Sequence, residues 1–125
     1  MGEVRVYFFD TYALHEIITK NQSYDPYIKG IAVVTTRLNL MELHYTLLIK
    51  YGKNIADRYF DFFADFSVDF DDNIVKKASE FKFSLRKRKL SYIDCLGYIV
   101  AKSKGIKFLT GDKEFEDLEN VEYVK

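Results

Sequence analysis

The chain has one cysteine, one proline, no tryptophan and no net charge. The lone Cys95 excludes an internal disulfide and any cysteine-rich zinc site. His15 and His44 stand well apart and make no zinc pattern either. With Pro26 as the single proline and no low-complexity stretch, no linker divides the sequence, and residues 1–125 read as one domain. No apolar run approaches the roughly 20 residues of a membrane-spanning helix, so no membrane part is expected. The opening MGEVRVYFFD carries an acid where a secretory leader is basic, and the expected compartment is the cytoplasm.

Zero net charge conceals an uneven layout. Residues 1–75 hold 7 Lys and Arg against 11 Asp and Glu; residues 76–107 hold 10 against 2; residues 108–125 hold 2 against 6. An acidic, basic and acidic order can set a cationic surface beside an anionic one on a compact domain. That suits a protein gripping a polyanion, and equally a chain with two solvated faces.

Strands and helices alternate along the sequence. Val4–Phe9 reads as a short buried strand closed by Asp10-Thr11, and Ala13–Ile18 as a short helix. A turn-rich connection around Pro26 leads to a second strand, Ile31–Val34. Helices follow at about Leu38–Tyr51, ending at Gly52, and at Asn54–Phe66, with Ile55, Tyr59, Phe62, Phe63 and Phe66 at helical spacing. Ser67–Phe70 reads as a minimal strand, and Asp71 or Asp72 caps a long helix with Ile74, Ala78, Phe81 and Leu85 inward. Ser91 starts a helix running to about Lys104; Ile106–Leu109 and Val121–Val124 complete the strands. Continuous apolar strands between helices predict a three-layer α/β/α domain with a mostly parallel sheet of four to five strands. Ligands of such sheets sit beyond the carboxyl ends of the strands, where Asp10 and Asp112 fall.

Most acids have ordinary explanations. Asp57, Asp61 and Asp65 form one stripe of a solvated helix face, and Asp69, Asp71 and Asp72 lie at a turn and helix start. Four stand apart. Glu42 interrupts the apolar run Leu38–Leu43, where burial of a carboxylate needs compensation unless a polar face begins there. Asp94 is the only charge between Tyr92 and Ala101; Ser91-x-x-Asp94 also fits a capping box, and Gly97 one turn on leaves space above it. Asp10 and Asp112 follow strands, where an aspartate also serves as a turn or cap. If the four converge, they repel one another unless a cation lies between, and an all-oxygen set selects Mg²⁺ or Mn²⁺.

These pieces resemble the PIN domain, the nuclease fold of VapC-type toxins. The resemblance spans residues 4–124 and is carried by FFDTYAL, by NLMELH at 39–44, by SYIDCLGYIVAKSKGIKFLTGD, the most specific part, and by the ending EFEDLENVEYV. It implies an acidic quartet of Asp10, Glu42, Asp94 and Asp112 that is both catalytic and metal-binding, with Thr110 as a small hydroxyl residue supporting the site. Glu114, or else Asp117, takes the place of an auxiliary acid, which leaves the number of ions open. It further implies a Mg²⁺- or Mn²⁺-dependent endoribonuclease, an RNA substrate, an antitoxin partner and a homodimer. The alternative is a PIN-like domain that binds RNA or a partner without cutting.

Two surface features complete the reading. Lys82, Arg86, Arg88 and Lys89, with Lys87 among them, lie ahead of the Asp94 helix and suit RNA phosphates, or else a helix end favourable to cations. Phe60, Phe62, Phe63 and Phe66 are too dense on one helix for a single buried stripe and suggest a partner-facing surface. A receiver- or phosphatase-like reading, with Asp10 as phosphoryl acceptor, is disfavoured because Asp10-Thr11-Tyr12 lacks the second aspartate of the phosphatase pattern.

Overall fold

The structure, a computed structural model, describes residues 4–125. Its four described strands are β1 Arg5–Phe9, β2 Ile31–Val34, β3 Lys107–Thr110 and β4 Val121–Tyr123. They form one sheet in the order β2-β1-β3-β4, and every pairing is parallel. Parallel neighbours need crossovers: α1 Thr11–Ile18 lies between β1 and β2, α2 Arg37–Tyr51, α3 Lys53–Ala64, α4 Asp72–Ser84 and α5 Tyr92–Ser103 lie between β2 and β3, and β3 reaches β4 through a 3₁₀ turn at Lys113–Phe115. The expected α/β/α architecture is the observed one.

The central strands are buried on both sides because their side chains alternate. Tyr7, Phe9 and Leu109 join a core with Leu14 of α1, Leu40, Leu43 and Leu47 of α2, and Ala56 and Phe63 of α3. Phe8 and Phe108 point the other way, into a core with Ala78 of α4 and Leu96, Tyr98 and Val100 of α5. Each core is thus supplied from both central strands, which explains why those strands read as unbroken apolar runs.

Local chemistry sets most helix starts. Asp10 Oδ1 accepts the Ala13 N–H at 2.8 Å to cap α1, Thr36 caps α2, Asp71 rather than Asp72 caps α4, and the Ser91 hydroxyl accepts the Asp94 N–H at 3.0 Å to cap α5. Gly52, at φ +87°, separates α2 from α3 in a conformation that suits glycine.

Two expectations change, at Ser67–Phe70 and at Gly97. Ser67–Phe70 makes only a single parallel bridge, Ser67 to Thr35, so no fifth strand forms there. The dense aromatics of α3 do divide: Phe62 is 62 % exposed, while Ala56 and Phe63 carry the burial of the helix. The space at Gly97 does not lie over the acidic residues. A Cβ placed there would come within 2.7 Å of the Phe8 ring and 3.2 Å of the Phe108 ring, so glycine lets α5 settle directly on the sheet.

Candidate active site

Register brings two acids to one edge. Phe9 of β1 pairs with Leu109 of β3, so Asp10 and Thr110 are the next residues out at the carboxyl end of the sheet. Asp10 is also tied there by its own N–H, which donates to Leu109 O at 3.3 Å. Beyond β3, the Asp112 N–H donates to Thr110 Oγ1 at 3.0 Å and Asp112 Oδ1 accepts the Glu114 N–H at 3.0 Å, which turns the chain sharply. Asp94 arrives from the first turn of α5, and Glu42 from the second turn of α2.

Electrostatics show that the acids sense one another. Asp10 is only 1 % exposed, and burial pushes its carboxyl up to about 8. The Thr110 hydroxyl and the Ala13 N–H oppose that rise, while the Asp94 and Asp112 charges add to it. Asp94 is half-buried, and its carboxyl is pushed up to about 6, mainly by burial, with the charges of Glu42 and Asp112 contributing and the Ser91 hydroxyl and N–H opposing. Asp94 thus lies within electrostatic reach of Glu42 and Asp112, and Asp10 within reach of Asp94 and Asp112.

A polar relay that the sequence reading missed aims Glu42. The Thr36 hydroxyl donates to Asn39 Oδ1 at 2.7 Å, Asn39 Nδ2 donates to Thr11 Oγ1 at 3.2 Å, and the Thr11 hydroxyl donates to Glu42 Oε1 at 2.6 Å. Thr35, Thr36 and Asn39 are fully buried. The signal available in sequence was the Thr-Thr pair directly after β2, with an asparagine three residues on. Glu42 is half-buried, and its compensation comes from the Thr11 hydroxyl.

The matching family model is described as PIN domain and covers residues 6–121. The chain belongs to the PIN-domain family. Solved structures with the same fold include VapBC2 of Rickettsia felis bound to a promoter DNA fragment, 18 % identical, covering 96 % of this chain and 99 % of that one at a TM-score of 0.72. VapC20 of Mycobacterium tuberculosis, a sarcin–ricin loop cleaving toxin, matches with the same figures. A toxin–antitoxin complex from Klebsiella pneumoniae is 13 % identical, covering 93 % and 95 % of the two chains at a TM-score of 0.72. No curated protein matched.

PIN-domain nucleases work with divalent metal ions, and the residues present here suit such an ion chemically. Glu16, Asp57, Asp117, Glu119 and Glu122 have basic partners, and the other described acids form no ion pair. Among the described residues, Asp10, Glu42, Asp94 and Asp112 have none. Carboxylates with a hydroxyl nearby, and no thiol or imidazole hydrogen-bonded to them, form a hard oxygen donor set. Among the described residues no three Asp, Glu, His or Cys side chains already close around a single ion position.

The remaining site candidates separate. Glu114 is half-buried directly after the Asp112 turn. Asp117 instead faces Arg88 in a bidentate pair, Nη1–Oδ1 2.7 Å and Nη2–Oδ2 2.9 Å. Arg88 also donates to Glu114 O at 2.8 Å, so this arginine fastens the 114–117 turn. Arg86 lies over the Phe83 ring at 4.5 Å and donates to Phe83 O. Lys82 donates to Leu90 O at 2.5 Å, whereas Lys89 is exposed and has no ion-pair partner among the described residues. The basic run is thus divided between structural contacts and solvated charge. Among the described residues no helix is long and apolar enough to cross a membrane.

Proposed function

We propose that the chain is a Mg²⁺- or Mn²⁺-dependent endoribonuclease, the toxin of a toxin–antitoxin pair. The observation that carries this reading is the group of four carboxylates from four separate segments at the carboxyl edge of a parallel sheet, none with a basic partner among the described residues, two of them held well above the ordinary carboxylate range. Such a group is costly by itself and becomes favourable when a cation joins it. The fold likeness to VapC20, a sarcin–ricin loop cleaving toxin, and to VapBC assemblies supports the substrate class and the antitoxin partner.

In this reading Asp10, Asp94 and Asp112 hold the ion, with Glu114 available beside them. The ion supplies positive charge that eases loss of a proton from water and offsets charge gathering on the phosphoryl oxygens. Glu42, aimed by the Thr11 hydroxyl, orients the attacking water and accepts its proton. Thr110 steadies both strand-end acids, its hydroxyl lying beside Asp10 and accepting the Asp112 N–H. The leaving 3′-oxygen departs on the side opposite the attacking water. Lys89 and Lys87 draw the RNA backbone toward the site.

Exposed apolar residues supply a surface for protein partners. Met41, Tyr45 and Ile49 recur every four residues on the outer side of α2 and are 57–70 % exposed. We assign this stripe and the exposed Phe62 to contacts with the antitoxin and with a second copy of the chain.

Incubation of the purified chain with labelled RNA in Mn²⁺ or EDTA tests the activity. Cleavage in Mn²⁺ alone, lost in a folded Asp94→Asn variant, is the expected result. Cleavage that survives EDTA or the substitution overturns the assignment, and RNA binding without any cleavage favours the non-cutting alternative.

A further inference from the structure

Beside the acidic residues, α5 opens on an aromatic side chain for which the reaction above has no use. Tyr92 is the first residue of α5, two before Asp94, and is 75 % exposed. Lys82 lies over one face of its ring, Nζ 4.9 Å from the centroid, and is itself anchored on Leu90 O. Next to the ring runs an apolar groove of about 300 Å³ between α4 and α5, lined by Val75, Ala78, Ser79 and Ile93 and reaching Leu38 at the start of α2. The ring itself forms part of the wall of this groove.

Charge decides between occupants. Lys82 stands over the ring, Lys87 and Lys89 are exposed in the turn leading into α5, and no acid lines the groove. A second copy docked here about a two-fold axis would set like charges against each other. A nucleic acid strand offers the complement: flat apolar bases joined by anionic phosphates. An aromatic ring braced by a cation, at the lip of an apolar groove, is the arrangement on which bases of a single strand stack.

We propose that Tyr92 is the stacking platform for one nucleobase of a single-stranded RNA, seated beside the phosphate presented to the acidic site, with Lys82 bracing the ring. The proposal rests on the ribonuclease reading for its ligand. Stacking accepts any base, so the platform places the strand without choosing its sequence.

The chain contains no tryptophan, so Tyr92→Trp introduces a single indole reporter at the platform. In EDTA, where no cleavage intervenes, a short single-stranded RNA should quench that emission. An oligomer of the same length lacking bases should leave it unchanged at saturation. Tyr92→Ala should bind the RNA about tenfold more weakly by fluorescence anisotropy, Tyr92→Phe should bind normally, and binding of the base-free oligomer should not respond to either change. Far-UV circular dichroism checks that the variants fold. Unaltered RNA affinity of Tyr92→Ala, or indole emission indifferent to RNA, overturns the platform even where Mn²⁺-dependent cleavage is intact. Emission that shifts with protein concentration alone reveals a second copy in the groove and likewise overturns it. Quenching by RNA in a chain that never cuts RNA upholds the platform and defeats the ribonuclease reading; failure to bind RNA defeats both.

Discussion

The Thr11 hydroxyl donates to Glu42 Oε1 at 2.6 Å, across 31 residues of sequence, and so joins the first turn of α1 to the acid on α2. Asn39 Nδ2 donates to the same hydroxyl at 3.2 Å, and of the two acceptors within reach of its proton the Glu42 carboxylate is much the nearer, Asn39 O lying at 3.4 Å. Thr11→Val removes the donor while keeping the shape. We expect metal-dependent cleavage to fall about tenfold and stability by about 1 kcal/mol, with Thr11→Ser restoring both. Steady-state cleavage rates and thermal melts of the three proteins check this.

Metal-free stability should depend on pH in an unusual direction. Asp10 titrates near 3.8 when unfolded and at about 8 when folded, and Asp94 at about 6 when folded. Between those values the folded state binds more protons than the unfolded one, so stability is fully present below pH 4 as far as these groups are concerned. It is lost as pH rises, through about 6 for Asp94 and about 8 for Asp10, at up to about 1.4 kcal/mol per pH unit for each group. Melting in EDTA from pH 5 to 8.5 should show the decline, and Asp10→Asn should flatten it. A flat wild-type profile would contradict the burial of an ionisable Asp10.

The same logic separates stability from activity. Asparagine at position 10 keeps a cap for α1 and removes the buried charge. Asp10→Asn should therefore melt higher than the wild type in EDTA at pH 8 and yet cut no RNA. Added Mn²⁺ should raise the melting temperature of the wild type and leave the variant unmoved. Equal Mn²⁺ stabilisation of both proteins would remove Asp10 from the ion's ligands.

Gly97 tests how closely α5 must sit on the sheet. Alanine there sets its Cβ 2.7 Å from the Phe8 ring, which is fully buried and has nowhere to retreat. Gly97→Ala should cost about 1–3 kcal/mol, or about 4 °C in melting temperature per kcal/mol. Because α5 also carries Asp94, cleavage should suffer beyond the loss of folded protein, a difference that activity per folded molecule at 20 °C would expose.

Arg88→Ala should loosen the 114–117 turn without altering the salt dependence of RNA binding, since its guanidinium is committed to Asp117 and Glu114 O. Replacing Lys87 and Lys89 together by glutamine should flatten that dependence by about two ions released. Binding isotherms from 50 to 200 mM salt distinguish the two variants.

Much of this protein was legible from residue order alone. Periodicity separates strands from helices, because an alternation of two and a repeat of 3.6 are local properties, and caps such as Asp10, Asp71 and Ser91 are set by side chains three residues from their partners. The four acids stood out because each breaks an apolar run or closes a strand. Long-range geometry decided the rest. Whether Ser67–Phe70 became a strand depended on what it met, and it met only Thr35. Whether Gly97 opened a cavity or closed a contact depended on the Phe8 ring, 89 positions earlier in the chain. Arg88 found Asp117 and Thr11 found Glu42 for the same reason: partners of buried or paired polar groups are chosen by which elements the packed cores bring together, and no local pattern records that choice.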